Sequence, residues 1–334
     1  MASIQKIIDI QPIDGADLIQ VATINGWKVV VKKDEFKIGD LVTYFEIDSW
    51  IPTALAPFLS KGKEPREYIS IKGERLRTVR LKGQLSQGLI LPLSIVSGGD
   101  EIGSFKEDDD VSELVGVVKY DPPVAANLAG VARGNFPIQV PKTDEIRVQN
   151  LTKEWDELRT YTYEVTEKIE GQSLSLIMVD GEFHVCSRNL SLKCTEDNPL
   201  WGIARRYNVE DNMRTHNLTN FAIQGELYGE SVQGNHYSIK GTDFMVYSMY
   251  DVTKGEYVSP EARLNICEML GLKHVPIIAN TYTPDNMSID NILAIANGKS
   301  LVNLEKLREG IVFKRINGQE HWKAVSNEYL LKHG

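Results

Sequence analysis

Short stretches of alternating apolar and polar residues, broken by turn-forming pairs, fill the first third of the chain. Val29-Val30-Val31, Leu41-Val42-Thr43-Tyr44-Phe45, residues 75–80 and Gly88-Leu89-Ile90-Leu91 read as strands. Between them lie the breakers Asp14-Gly15, Asn25-Gly26, Gly39-Asp40, Pro52, Lys82-Gly83 and Gly98-Gly99. Little helical periodicity accompanies them. This spacing predicts a small β-barrel over residues 1–105, and the OB-fold is the commonest barrel of that size.

The pattern then changes twice. Residues 106–142 carry the acidic run Glu107-Asp108-Asp109-Asp110 and the breakers Pro122, Pro123, Gly130, Gly134, Pro137 and Pro141, which predicts a solvated loop and an irregular connection. Over 143–334 strands and helices mix. Strands are expected at 161–169, 174–179, 183–187, 221–228, 243–250, 310–316 and 321–325. Helices are expected at 198–207, 260–270, 288–297 and 303–308, the second opened by Ser259-Pro260, a cap followed by proline in the first turn. Strands do not alternate regularly with helices, so the fold class is α+β on antiparallel strands.

Composition narrows the function classes. The 334 residues suffice for two domains, and 42% hydrophobic with 25% charged residues is ordinary for a globular protein. A net charge of −9 argues against binding nucleic acid or membranes through total charge. Locally the balance differs: residues 61–82 hold eight basic residues against Glu64, Glu67 and Glu74, a possible path for phosphates. Cys186, Cys194 and Cys267 form no metal-binding pair and are expected as free thiols. The histidines lack zinc-site spacing, and no apolar run has signal or membrane length, so a cytoplasmic protein without membrane contact is expected.

The polar positions of three strands carry candidate chemistry. Alternate side chains share a strand face, which places Lys168 with Glu164 and Thr166, opposite Glu167. In the segment 221–229, Gln224 and Glu226 share a face, with Gly225 and Gly229 beside the carboxylate, where a ligand could approach the bare backbone. Glu309 heads the apolar segment 310–314. By strict alternation it faces away from Lys314 unless a bulge at Gly310 resets the parity. His321 and Lys323 share a face of the last strand.

These residues supply an amine, two carboxylates suited to Mg²⁺ or Mn²⁺, and cations for phosphate oxygens. A lysine amine with a pKa near ~10.4 must lose its proton to attack, and lowering it by about three units requires roughly 4 kcal/mol. Lys314, Lys323 and a metal ion would supply that repulsion, with Glu226 and Glu309 as metal ligands. The expected reaction is attack of Lys168 on the α-phosphate of a nucleoside triphosphate.

The order of these elements resembles the covalent nucleotidyltransferase superfamily of polynucleotide ligases and capping enzymes. Lys168-Ile169-Glu170-Gly171 resembles its first motif, Lys-x-Asp-Gly, with glutamate in place of aspartate. Ser187-Arg188-Asn189 resembles the second element and Gly225-Glu226-Leu227-Tyr228-Gly229 the third. Asp243-Phe244-Met245-Val246-Tyr247 resembles the aromatic motif, Glu309-Gly310-Ile311-Val312-Phe313-Lys314 the fourth, and Trp322-Lys323 the fifth, where His321 replaces a frequent lysine. Only eleven residues follow Lys323, and the OB-like segment comes first. That order is similar to the family-five type of ATP-dependent RNA ligase. Gly15-Ala16-Asp17, Gly26-Trp27, Ser86-Gln87-Gly88-Leu89, Lys119-Tyr120-Asp121-Pro122-Pro123 and Pro141-Lys142-Thr143-Asp144-Glu145 also resemble that branch.

The resemblance implies an N-terminal OB domain and an antiparallel-sheet, ATP-grasp-like ligase domain over 143–334. It implies that adenine sits by Glu167 and Tyr247, and the ribose near Arg188 and Glu226. Glu309 would help hold the metal, while Lys314 and Lys323 would contact the α-phosphate, with Lys168 and Lys323 catalytic. The implied activity is ligation of RNA 3′-hydroxyl and 5′-phosphate ends, in a nicked duplex, by a monomer using ATP. A DNA ligase, a GTP-using capping enzyme and a non-catalytic OB-fold RNA-binding protein are the alternatives.

Overall fold

The computed structural model describes residues 1–97, 105–121 and 132–333. They form two compact units: Met1–Pro122 with Gln149–Thr152 and Leu330–Gly334, and Pro123–Val148 with Lys153–Tyr329. The breakers Gly98-Gly99, Pro122, Pro123 and Gly130 lie outside the described residues.

The first unit is built from short antiparallel strands. Leu41–Phe45 is flanked by Ala2–Lys6 and Leu89–Pro92, and Asp9–Ile13, Ala16–Ile24 and Trp27–Lys32 form a meander. In the last of these, Trp27, Val29 and Val31 are buried while Lys28 and Val30 are half-buried, the period of two that a one-sided sheet requires. The core gathers Ile4, Phe45, Ile51, Leu76, Val111, Val115 and Val117.

Three expectations here give way. The strand expected over 75–80 is divided between Ile71–Arg75 and Val79–Leu81, because Leu76 instead exchanges backbone hydrogen bonds with Asp48 and Ser49. Pro52 ends the strand Ser49–Pro52, a position where its missing N–H is tolerated. The acidic run is exposed at Asp108–Asp110, yet its backbone pairs with the first strand: the Ile4 N–H donates to the Asp109 carbonyl at 2.9 Å. Val111, Val115 and Val117 then enter the core, so this part of 106–142 packs despite its composition.

The second unit contains two sheets. One runs in the order Ala132–Asn135, Leu190–Leu192, Glu182–Cys186, Gln172–Val179, Phe221–Gly229, Thr242–Asp251 and Glu256–Tyr257, with Lys273–His274 added parallel to Thr242–Asp251. Leu174, Leu176, Ile223, Phe244 and Val246 pack with Leu200, Trp201, Ile203, Met213, Cys267 and Leu270 of the helices Pro199–Arg206, Val209–Thr215 and Pro260–Leu270. Helix 260–270 ends at Gly271 in the left-handed conformation, a common way for a helix to stop.

The other sheet has the order Ile146–Arg147, His321–Val325, Gly310–Arg315, Tyr163–Lys168, Ile277–Tyr282. One face carries an aromatic stack, with Phe313 and Trp322 ring centroids 3.8 Å apart and Tyr163 edge-on to both. Residues 303–308 are not helical. Asn303 accepts from the Glu305 N–H, a local bond that competes with a helix, and donates to the Tyr237 carbonyl, while Leu307 bridges to Lys299.

Candidate active site

Strand register brings the candidate residues together. Across the second sheet, Glu164 lies opposite Lys314, which lies opposite His321; Thr166 lies opposite Val312, which lies opposite Lys323. Directly paired residues share a face, so Lys168, Lys314, His321 and Lys323 share one face and the aromatic stack occupies the other. No bulge occurs between Gly310 and Lys314. Glu309 precedes the strand, so alternation does not govern it, and its Oε1 accepts from Lys168 Nζ at 2.6 Å.

The Lys168 ion pair defines the electrostatics. Burial alone would lower the lysine pKa, but the carboxylates of Glu309 and Glu226 outweigh it and hold the amine above its ordinary value. The expected lowering is therefore not met in this arrangement. Burial, reinforced by the like charges of Glu309 and Glu145 against the pull of Lys168, raises Glu226 to about 8. Among the described residues Glu226 has no hydrogen-bond donor to its carboxylate.

Gly171 makes this proximity possible: a Cβ there would lie 2.2 Å from the Leu227 carbonyl oxygen and 2.9 Å from Glu226 Cγ. A Cβ at Gly225 would meet the Met245 carbonyl oxygen at 2.3 Å. Its bareness serves close strand contact at the β-bulge between Gln224 and Gly225, where the sequence had pointed to a ligand.

The other candidates hold protein partners. Glu167 is buried, which raises its pKa, and its Oε2 accepts from the Leu301 N–H at 2.7 Å. Tyr247 is half-buried, with its hydroxyl 2.7 Å from Thr143 Oγ1. Lys314 is 2% exposed and donates to the Tyr247 carbonyl; burial, then Arg263, lowers it to about 7. Arg263 is itself ion-paired with buried Glu164 and donates to His274 Nε2 at 2.9 Å. Arg188 and Lys323 converge on one carboxylate, Asp144, at 2.8 and 3.3 Å. Burial and then repulsion by Lys168 lower the Lys323 pKa.

Several of these contributors carried no assigned role in the sequence. Asp144 and Glu145 lie in the phrase Pro141-Lys142-Thr143-Asp144-Glu145, to which no role was attached, and Arg263 carries no local signal. Beside the site, Tyr228, Met245, Pro276, Leu301 and Val302 line a cavity of about 630 Å³ together with Arg206, Lys240 and Lys273. The Glu167 N–H donates to the Pro276 carbonyl, so Glu167 stands behind that wall.

A family model described as RNA ligase matches residues 161–332, and one described as an OB-fold domain matches residues 1–93. The chain belongs to the RNA ligase family. Among curated proteins no sequence matches. Solved structures of Naegleria gruberi RNA ligase are similar throughout. An aspartate-to-alanine variant without ligand has 42% identity and a TM-score of 0.92, over 99% of this chain and 97% of that one. A lysine-to-alanine variant with ATP and manganese also has 42% identity and a TM-score of 0.92, over 99% and 98%. A structure with pyrophosphate has 42% identity and a TM-score of 0.91, over 99% and 98%. The OB-fold, α+β reading of this ligase is thereby borne out, while residues 106–142 contribute to both compact units.

Proposed function

We propose that this ligase uses ATP to join RNA 3′-hydroxyl and 5′-phosphate ends through a covalent lysyl-AMP on Lys168. The observation that carries the reading is the half-buried Lys168–Glu309 ion pair beside Glu226, a carboxylate raised to about 8 and with no hydrogen-bond donor among the described residues. In the first step Lys168 Nζ forms a bond to the α-phosphorus and the bond to the bridging oxygen of pyrophosphate breaks. AMP then passes to an RNA 5′-phosphate, and an adjacent 3′-hydroxyl displaces it.

The residues fit a divalent cation. Glu226 and Glu309 are two acidic side chains around one amine, and Mg²⁺ or Mn²⁺ takes few protein ligands while using water and phosphate oxygens for the rest. When bound, the metal supplies positive charge to phosphate oxygens. The protein supplies the rest. Glu309, 2.6 Å from Nζ, is the nearest proton acceptor, and drawing its carboxylate away lowers the Lys168 pKa. Lys323 and Arg188 are assigned to phosphate and ribose, which requires exchanging Asp144 for the nucleotide.

Glu167 and Tyr247 are assigned to adenine. Lys314 is assigned to holding Tyr247 through its carbonyl; direct contact with the α-phosphate would require that bond to break. Residues 143–334 would carry the chemistry and 1–105 would contact RNA. In the basic stretch 61–82, Arg66, Lys72 and Arg75 are ion-paired with Glu74, Glu64 and Asp48, leaving less charge for phosphates than the bare count indicates.

The test is incubation with α-labelled ATP and Mg²⁺, followed by denaturing electrophoresis. Label should remain on the native chain and be absent from Lys168→Ala. Equal labelling of both would refute the lysine assignment. A parallel panel with GTP, and nicked duplexes with RNA or DNA 3′-hydroxyl strands, tests the nucleotide and substrate.

A further inference from the structure

Glu170 stands where the first motif it resembles carries aspartate, and the longer side chain has a particular partner. Its Oε2 lies 3.2 Å from His236 Nδ1, with the two side chains only 14% and 6% exposed. The other ring nitrogen, Nε2, lies 2.7 Å from the Leu307 carbonyl oxygen. A carbonyl oxygen only accepts, so Nε2 carries a hydrogen. A neutral ring with its hydrogen on Nε2 presents a lone pair at Nδ1, and an ionised carboxylate also presents lone pairs. Their close, buried approach is repulsive unless one of the two groups carries an additional proton.

The surroundings hold this geometry. The Glu170 N–H donates to the Tyr237 hydroxyl at 2.8 Å, and the Tyr329 hydroxyl hydrogen-bonds the Glu170 carboxyl group. The Tyr237 and Tyr329 rings pack edge-on to His236, with centroids 4.9 and 5.4 Å away. The carboxyl group is also close enough to Glu309 and Lys168 to sense both charges.

We propose that His236 and Glu170 form an ion-paired positioning pair beside the Lys168–Glu309 ion pair, matched to glutamate rather than aspartate at position 170. The inference rests on Lys168 being the nucleophile. Aspartate is shorter by one methylene, about 1.5 Å of chain, which draws its oxygen away from Nδ1 and out of ion-pair contact. With one proton between them the pair has no net charge, whether drawn as imidazolium–carboxylate or imidazole–carboxylic acid. Without His236, an ionised Glu170 adds a further carboxylate near Lys168 to those of Glu309, Glu226 and Glu145, and favours the protonated amine.

The test is a double-mutant cycle on the full chain, read as the rate of protein–AMP formation at saturating ATP. His236→Phe keeps a ring against Tyr237 and Tyr329 but removes both nitrogens. It should slow adenylylation at least tenfold with Glu170 present, and less than threefold when added to Glu170→Asp. Equal losses in the two backgrounds would reduce His236 to a packing residue and overturn the proposal, as would no loss with Glu170 present.

A second readout is independent of catalysis. In ¹⁵N-histidine spectra the His236 Nδ1 signal of the native chain should lack the shift of a bare, unbonded ring nitrogen and should acquire it in Glu170→Asp. A bare Nδ1 in the native chain refutes the pair even where Lys168 labels normally. A proton-bonded Nδ1 in a chain whose Lys168→Ala variant still labels would instead refute the nucleophile.

Discussion

Single residues at this site are governed by burial competing with charge. Glu226 shows the balance most clearly, because its folded pKa of about 8 lies well above the 4.5 of an ordinary glutamate. The folded chain therefore holds a proton that the unfolded chain has released between pH 4.5 and about 8. The stabilising contribution of the protonated form is complete below pH 4.5 and is lost as pH rises to about 8. Glu226→Gln should flatten this component: thermal melts without nucleotide should match the native chain near pH 4.5 and exceed it at pH 8.5 and above, while lysine labelling is lost. Lower melting of the variant at the higher pH would contradict the buried-carboxylate account.

At the scale of elements, alternation was a good guide within strands and a poor one at their ends. It correctly put Lys168 on the face of Glu164 and Thr166, and regular pairing added Lys314 and Lys323. Glu309 could not be placed that way, because it lies one residue before its strand. The contact between strand ends then depends on Gly171. Gly171→Ala would press its Cβ into the Leu227 carbonyl, a backbone atom that cannot move without shifting Phe221–Gly229. A loss of about 1–3 kcal/mol, the usual cost of overpacking, is expected in chemical denaturation, together with loss of labelling as Glu226 is displaced. Retained stability and labelling would show that the strand end yields easily.

The whole molecule is not divided at a single point in the sequence. Gln149–Thr152 belongs with the first unit although the second surrounds it in sequence. The Gln149 carbonyl accepts the Gly26 N–H at 2.9 Å, and Asn150 Oδ1 accepts the Trp27 indole N–H at 2.6 Å. A fragment of residues 1–122 lacks both acceptors. It should unfold at a lower temperature than the corresponding transition of the full chain, followed by tryptophan fluorescence; equal midpoints would show that the 149–152 segment adds no stability. Composition does not reveal this return of the chain, because a few residues in a polar stretch carry no periodicity.

What the sequence by itself determined was the kind of molecule, and it singled out the residues proposed for its chemistry. Period-two segments and turn pairs specified the strands that carry the site, though not Ala2–Lys6, Asp9–Ile13 or Ala16–Ile24, and Ser259-Pro260 specified where a helix begins. The ordered motifs gathered Lys168, Glu226, Glu309 and Lys323 before any coordinates did. Only the tertiary structure decided the charge state around Lys168, the occupation of Arg188 and Lys323 by Asp144, the burial of Lys314 against Tyr247, and the approach of His236 to Glu170. The physical reason is range. Strand and cap signals act within a few residues, whereas desolvation and ion pairing depend on distances between groups up to 179 positions apart.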